Sequence, residues 1–262
     1  MELIKPDNSE YRRYEELLLK RDELLKEAAV MQIRYIQEFG ELMVRSFRIK
    51  NECLKLKKKL AFSQMMINHD KVIDPHHMQH YVDKETAGYD RQLKVMVHDF
   101  RRAMKTELPT EAVALEVIRL YRKVAVKIHP EINSKTGITP QLADMWNEVL
   151  IAFHENDISA LERLDAMIDS ELDKLGEYLE IYIPEMKEKI ILLEEETDTI
   201  ISSDPYRYKD ILNNAELVEE KRTLLRREIH DYMEYEDEME HKFEAIFLHK
   251  KIRFTWQGKE SL

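Results

Sequence analysis

A regular spacing of apolar residues near the start of the chain constrains its fold more than any other feature. From Tyr11 to Leu60, fifteen positions taken in alternating steps of three and four include twelve apolar residues, with Arg21, Gln32 and Ser46 as the exceptions. This mean spacing of about 3.5 residues is typical of a coiled-coil helix, whose apolar stripe packs against partner helices. Only 5 glycines and 7 prolines occur in 262 residues, so turn-forming residues are few. We therefore predict an all-α fold.

Composition narrows the classes of function. The net charge of −11 argues against general nucleic-acid binding. Local contact of the basic stretch 45–59 with nucleic acid remains a weaker alternative. The single cysteine, Cys53, has no internal disulfide partner, which indicates a reducing compartment. The chain starts without the apolar run of a signal peptide, and no stretch approaches the roughly 18 apolar residues of a membrane helix. We expect a cytoplasmic protein.

Two further apolar seams follow later in the chain, one from Leu172 to Ile200 and one from Val218 to Ile246. With Pro184 as a kink or break in the first of them, they predict helices that fold back on each other. We predict a long antiparallel coiled-coil stalk with a compact helical head. A homodimer through an intermolecular coiled coil stays open as the competing assembly. The predicted parts are a coiled-coil helix, a head, a coiled-coil hairpin and a tail, over residues 7–67, 68–170, 171–250 and 251–262.

The core of the predicted head, residues 110–156, reads as two helices joined by a loop. The first has an apolar face and ends at Pro130, because the residue before a proline is disfavoured in helical geometry. Thr139 and Pro140 carry the signals of a new helix start. The opposite face of the first helix is basic, with no acidic residue between Val117 and Pro130. Its basic side chains are Arg119, Arg122, Lys123 and Lys127.

This hairpin resembles the J-domain of the DnaJ family. That family's second helix typically has a tyrosine, two basic residues, an aliphatic residue and an alanine before a His-Pro-Asp loop. Here residues 121–125 read Tyr-Arg-Lys-Val-Ala, and the loop reads His129-Pro130-Glu131, with Asn133 where the family often has asparagine. The core positions of the family's third helix are matched by Trp146, Val149, Ala152 and Phe153. The sequence departs from the family at Glu131, which is one methylene longer than aspartate and has the same charge.

The resemblance implies a co-chaperone that docks a DnaK-class ATPase chaperone and stimulates its ATP hydrolysis. It assigns the docking contact to Arg119, Arg122, Lys123, Lys127, His129, Pro130, Glu131 and Asn133. Apart from the resemblance, a basic helix beside an exposed loop is suited to an acidic partner. We expect the loop to hold His129 and Glu131 outward, and we expect an unknown client or scaffold partner on the coiled coil.

Other classes of function have less support in the sequence. Nothing completes an active site around His129 and Glu131, so we predict neither an enzyme nor a cofactor. His76, His77 and His80 lie close together in the sequence, but we interpret them as part of a polar surface loop, not as a metal site. The alternative to a co-chaperone is a structural coiled-coil scaffold whose J-like head is inactive toward chaperones.

Overall fold

The computed structural model describes residues 9–132, 139–175 and 185–249. All regular secondary structure in these ranges is helical, which confirms the predicted all-α class. The helices are α1 Ser9–Asn68, α2 Pro75–Ala103, α3 Glu111–Ile128, α4 Pro140–Glu155, α5 Ile158–Leu175, α6 Met186–Ser202, α7 Tyr208–Leu212 and α8 Ala215–His249. Within the described ranges no helix is both long and apolar enough to cross a membrane.

The chain forms two compact units, and both contain part of α1. The first unit combines Met1–Gln32 with Glu107–Lys209, and the second combines Ile33–Thr106 with Asp210–Leu262. The sequence interpretation groups residues 68–170 as the head, which includes α2 and leaves out the start of α1. In the structure α2 belongs to the second unit, and the start of α1 contributes to the unit that holds the hairpin.

Helix α2 includes a stretch that the sequence predicts as a loop. His76, His77 and His80 were interpreted as part of a polar surface loop, but they lie in α2, and only a short turn precedes Pro75. Asp74 caps the helix, since its Oδ1 accepts the N–H of His76 at 3.0 Å, and Pro75 occupies the first turn. An N-cap aspartate followed by proline is a standard helix start, so the local signal was present in the sequence.

The first unit is built around α3, α4 and α5, with the start of α1 packed into their shared core. Leu17, Leu18 and Leu19 are all buried. Successive residues project about 100° apart around a helix, so three buried neighbours mean that other elements surround α1 on several sides here. Tyr11 and Tyr14 belong to the same core, together with Tyr121, Trp146 and Phe153.

Helix α6 runs parallel to the start of α1 in the first unit. Lys187 pairs with Glu10 at 3.4 Å, and Glu194 accepts a hydrogen bond from Arg13 at 2.8 Å. Residue numbers rise together along both helices, whereas the predicted stalk required opposite directions. The antiparallel coiled-coil stalk is therefore not confirmed. Pro184 and the predicted tail 251–262 lie outside the described residues.

The second unit joins the rest of α1 to α2 and α8. Helix α2 runs antiparallel to α1, as shown by the pairs Lys58 with Glu85 and Asn51 with Asp90, at 2.6 and 2.7 Å. Helix α8 runs parallel to α1. Glu38 pairs with Arg222 near one end, and the Sγ atom of Cys53 lies 3.3 Å from the carbonyl oxygen of Tyr232 further along.

The basic stretch 45–59 of α1 and the acidic stretch 234–240 of α8 both lie in the second unit. The contact between Cys53 and Tyr232 brings the two stretches near each other, but the ion pairs of Lys55 and Lys58 with other helices are made to α2. Glu236, in contrast, faces other acids, and burial together with Glu240 and Glu52 raises its pKa.

Candidate protein-docking site

Local capping fixes the start of each helix in the α3–α4 hairpin. The Oγ1 atom of Thr110 accepts the N–H of Val113 at 3.4 Å, and that of Thr139 accepts the N–H of Leu142 at 3.2 Å. Helix α3 ends at Ile128, and Pro130 follows as an exposed residue. The predicted helix boundaries at Pro130 and Thr139 are thus confirmed. Asn133, the last of the predicted contact residues, lies outside the described residues.

His129 faces inward, which corrects the expected outward orientation. Only 4% of the residue is exposed. Its Nδ1 accepts the N–H of Glu131 at 3.1 Å, its Nε2 lies 3.4 Å from Oδ2 of Asp22, and its ring packs edge-on against Trp146. A buried polar ring requires such partners, and the core supplies them on every side. His129 therefore shapes the loop from within.

Asp22 is the buried acid that receives these contacts. Its Oδ2 also accepts the hydroxyl hydrogen of Tyr121 at 2.6 Å. Burial opposes ionisation of Asp22, but hydrogen bonds from His129 and Tyr121 and the charge on Arg21 outweigh it and lower the pKa. Burial and the nearby Asp22 carboxylate raise the pKa of Tyr121 above its ordinary value. The network holds α1 against the end of α3 and the loop.

Glu131 is the exposed acid of the loop. Half of its side chain is accessible, and its Oε1 accepts a hydrogen bond from Nη2 of Arg21 at 3.1 Å. The same guanidinium contacts Asp22 at 2.9 Å. Burial alone would lower the pKa of Arg21, but Asp22 and Glu131 raise it. Arg21 therefore connects the buried acid to the exposed one.

Two of the predicted basic residues of α3 pair with acids of α3 itself and of α1. Arg119 pairs with Glu116 one turn earlier on the same helix, at 2.6 Å. Arg122 forms two hydrogen bonds with Glu23 of α1, and the bond from Nη2 to Oε2 measures 2.8 Å. Both guanidinium groups are partly exposed, so their pairing with acids of the chain itself leaves them accessible to solvent.

The other two basic residues contact α5. Lys123 and Lys127 both approach Asp165, at 2.5 and 2.7 Å, and Lys127 also reaches Asp169 at 2.5 Å. Asp165 is buried, which opposes its ionisation, but the two lysines outweigh that effect and lower its pKa. The basic face predicted from the sequence therefore exists as a set of ion pairs.

The sequence analysis missed the acidic and basic residues that contact the loop. Arg21 was noted only as an interruption of the apolar seam, and Asp22 and Glu23 were not singled out. A charged residue at a seam position is a signal that could have been used, because a half-buried charge requires a partner. The identity of that partner could not be read, since Arg21 and Glu131 are 110 residues apart.

The histidines near the start of α2 lie at exposed positions of that helix. His76, His77 and His80 are exposed, and His77 lies 3.3 Å from Asp74. Among the described residues, no group of three or more histidine, cysteine or acidic side chains is arranged to hold a metal ion.

Comparison of the chain with protein-family models, with curated proteins and with solved structures finds no match. The resemblance to J-domains therefore rests on the residues of the α3–α4 hairpin alone.

Proposed function

We propose that this protein is a J-domain-like co-chaperone or adaptor of the cytoplasm, which docks a DnaK-class ATPase chaperone without performing catalysis itself. The docking face is formed by the basic side chains of α3 and by the exposed end of the loop. Its members are Arg119, Arg122, Lys123, Lys127, Pro130 and Glu131. The coiled-coil-like helices are proposed to bind a client or scaffold partner.

One observation supports this proposal most. The end of α3 is fixed by buried contacts, whereas Pro130 and Glu131, directly after it, are exposed. A rigid loop that presents a carboxylate beside a row of cations can make a specific contact and attract an acidic partner. His129 has a positioning role in this scheme, because its Nδ1 accepts the N–H of Glu131.

The test measures steady-state ATP hydrolysis by a purified DnaK-class chaperone with and without this protein. We expect stimulation by the wild type and its loss in Glu131→Gln, which keeps the side chain's size and removes its charge. Glu131→Asp should raise stimulation if the reach of the carboxylate limits docking. Glu148→Gln is the matched control, because Glu148 is an exposed acid on α4. A His129→Gln variant alone would not discriminate, since this residue also supports the loop's structure.

A structural scaffold with an inactive J-like head is the second candidate. The burial of His129 and the internal ion pairs of α3 favour it, because a face that is already satisfied needs no external partner. Absence of stimulation by the wild type and by every variant of the docking face would support the scaffold and contradict the co-chaperone.

A further inference from the structure

Three consecutive residues of α1 contact three residues of the loop and of α3. These residues, 21–23, are an arginine, an aspartate and a glutamate. Their partners, in the same order, are Glu131 at 3.1 Å, His129 at 3.4 Å and Arg122 at 2.8 Å. One turn of α1 thus covers the point where the basic helix meets the loop.

We infer that residues 21–23 act as an internal latch on the docking face, which a chaperone must displace in order to bind. This inference rests on the proposed function and concerns the regulation of that same face. The latch supplies the charges that an external partner would have to offer. An arginine faces the loop carboxylate Glu131, and a carboxylate faces the guanidinium of Arg122. The face therefore fits a partner surface with an arginine flanked by acidic residues.

The latch has an exposed part and a buried part. At the pair of Arg21 with Glu131 the two side chains are 15% and 50% accessible, and at the pair of Glu23 with Arg122 they are 19% and 44% accessible, so the member on the docking face is the accessible one. In contrast, the side chains of Asp22 and His129 are 14% and 5% accessible.

In each outer pair the member on the docking face reaches solvent, and ion pairs open to solvent contribute little free energy. A chaperone can therefore replace the outer two pairs by side-chain rotation, while Asp22 keeps α1 in place. Opening of the latch in this scheme does not require release of the apolar core around Leu18.

The test compares two variants that each remove one positive and one negative charge from α1, so that the net charge stays the same. The latch variant is Arg21→Gln with Glu23→Gln. The control is Glu41→Gln with Arg45→Gln, because both residues are exposed on the same helix in the second unit. Glu23→Gln alone serves as a milder variant if loss of Arg21 disturbs the fold, and thermal melts check that all proteins are folded.

The measured quantity is the concentration of this protein that gives half-maximal stimulation of ATP hydrolysis by a purified DnaK-class chaperone. We expect the latch variant to lower this half-maximal concentration about 3- to 10-fold, because it lacks two weak ion pairs that compete with the chaperone for the docking face. The Glu23→Gln variant should lower it about 2- to 3-fold, by loss of one such pair. The control should match the wild type.

The outcomes separate the latch from the docking function. Equal stimulation by wild type and latch variant would overturn the latch and leave docking supported. A higher half-maximal concentration for the latch variant would also overturn it, since residues 21 and 23 would then assist docking. No stimulation by any folded variant would overturn the docking function, and the latch with it.

Discussion

The Nε2 atom of His129 lies 3.4 Å from the Oδ2 atom of Asp22, and both groups are buried in the first unit. The same oxygen accepts the hydroxyl hydrogen of Tyr121. A buried carboxylate with two such partners joins α1, α3 and the loop in one network. Because His129 and Tyr121 both depend on Asp22, its loss leaves two buried groups without this partner, so the network should respond strongly to substitution of Asp22.

Replacing Asp22 by asparagine should destabilise the first unit by roughly 1–3 kcal/mol, because the buried partners lose a charged acceptor. Since folding lowers the pKa of Asp22, its ionised form stabilises the fold above the unfolded-state pKa near 4, and that contribution disappears as pH falls through the lower folded pKa. Urea denaturation from pH 7 to pH 2 should therefore show a smaller acid loss in Asp22→Asn than in the wild type. Asp231→Asn, at an exposed position, is the control. Equal acid losses would contradict the role of Asp22.

Lys26 should make the stability of the wild type rise at alkaline pH. It is 6% exposed, and its ammonium group contacts the carbonyl oxygen and the ring of Phe153. Burial lowers its pKa from 10.5 to about 8. Between these values the unfolded chain holds a proton that the folded chain has released, so stability increases with pH by roughly 1–3 kcal/mol.

Comparison of wild type with Lys26→Met isolates this effect. The difference in free energy of unfolding should shift in favour of the wild type as pH rises from about 8 to about 10.5. Lys20→Met, at an exposed position of the same helix, should run parallel to the wild type. If the Lys26→Met curve also runs parallel to the wild type, the lysine is not held in a desolvated environment.

The two glycines within the helices of the second unit should respond in opposite ways to alanine. A Cβ at Gly40 would come within 2.6 Å of the Phe100 ring, whereas one at Gly88 would meet nothing within 4 Å. Gly88→Ala should stabilise by about 0.5–1 kcal/mol through helix propensity. Gly40→Ala should lose that gain and destabilise by about 1 kcal/mol through overpacking. Thermal denaturation of the two variants measures the difference, and equal gains would show that α1 and α2 approach less closely.

Glu236→Gln should stabilise the second unit slightly. Burial and the nearby Glu240 and Glu52 raise the pKa of Glu236, so its ionised form at neutral pH is disfavoured in the folded state. Because the group is partly exposed, we expect a gain of only about 0.5 kcal/mol at pH 7, which should vanish as pH falls below its pKa. Glu220→Gln, at an exposed position of α8, should show no such gain in urea denaturation at the two pH values.

Periodicity predicted the helices better than it predicted their partners. Tyr11, Leu18 and Phe39 are buried as the apolar seam of α1 required, but Leu25 on the same seam is 47% exposed. Many apolar faces in this chain have the same spacing, so the pattern does not specify which of them meet. For that reason the predicted head, residues 68–170, included α2, whereas in the structure the start of α1 joins the hairpin.

Only the basic half of the candidate site was predicted from the sequence. The basic residues of α3 and the loop were identified, because they lie close together in the sequence. Their counterions were not, since Glu23 and Asp165 come from segments 99 and 42 residues away from Arg122 and Lys123. The direction of His129 depends on these distant contacts, and no local pattern encodes it.

The division of α1 between two units sets an order in which the chain can fold during synthesis. Residues 33–68 gain their first partner once α2 has emerged, because the two helices are adjacent in the sequence. Residues 9–32 must wait for α3 and for later helices, up to Lys209, which pairs with Glu27 at a separation of 182 residues. Residues 9–32 are thus made before α2 but buried after residues 33–68, and their run of leucines stays exposed until those later helices have been synthesised.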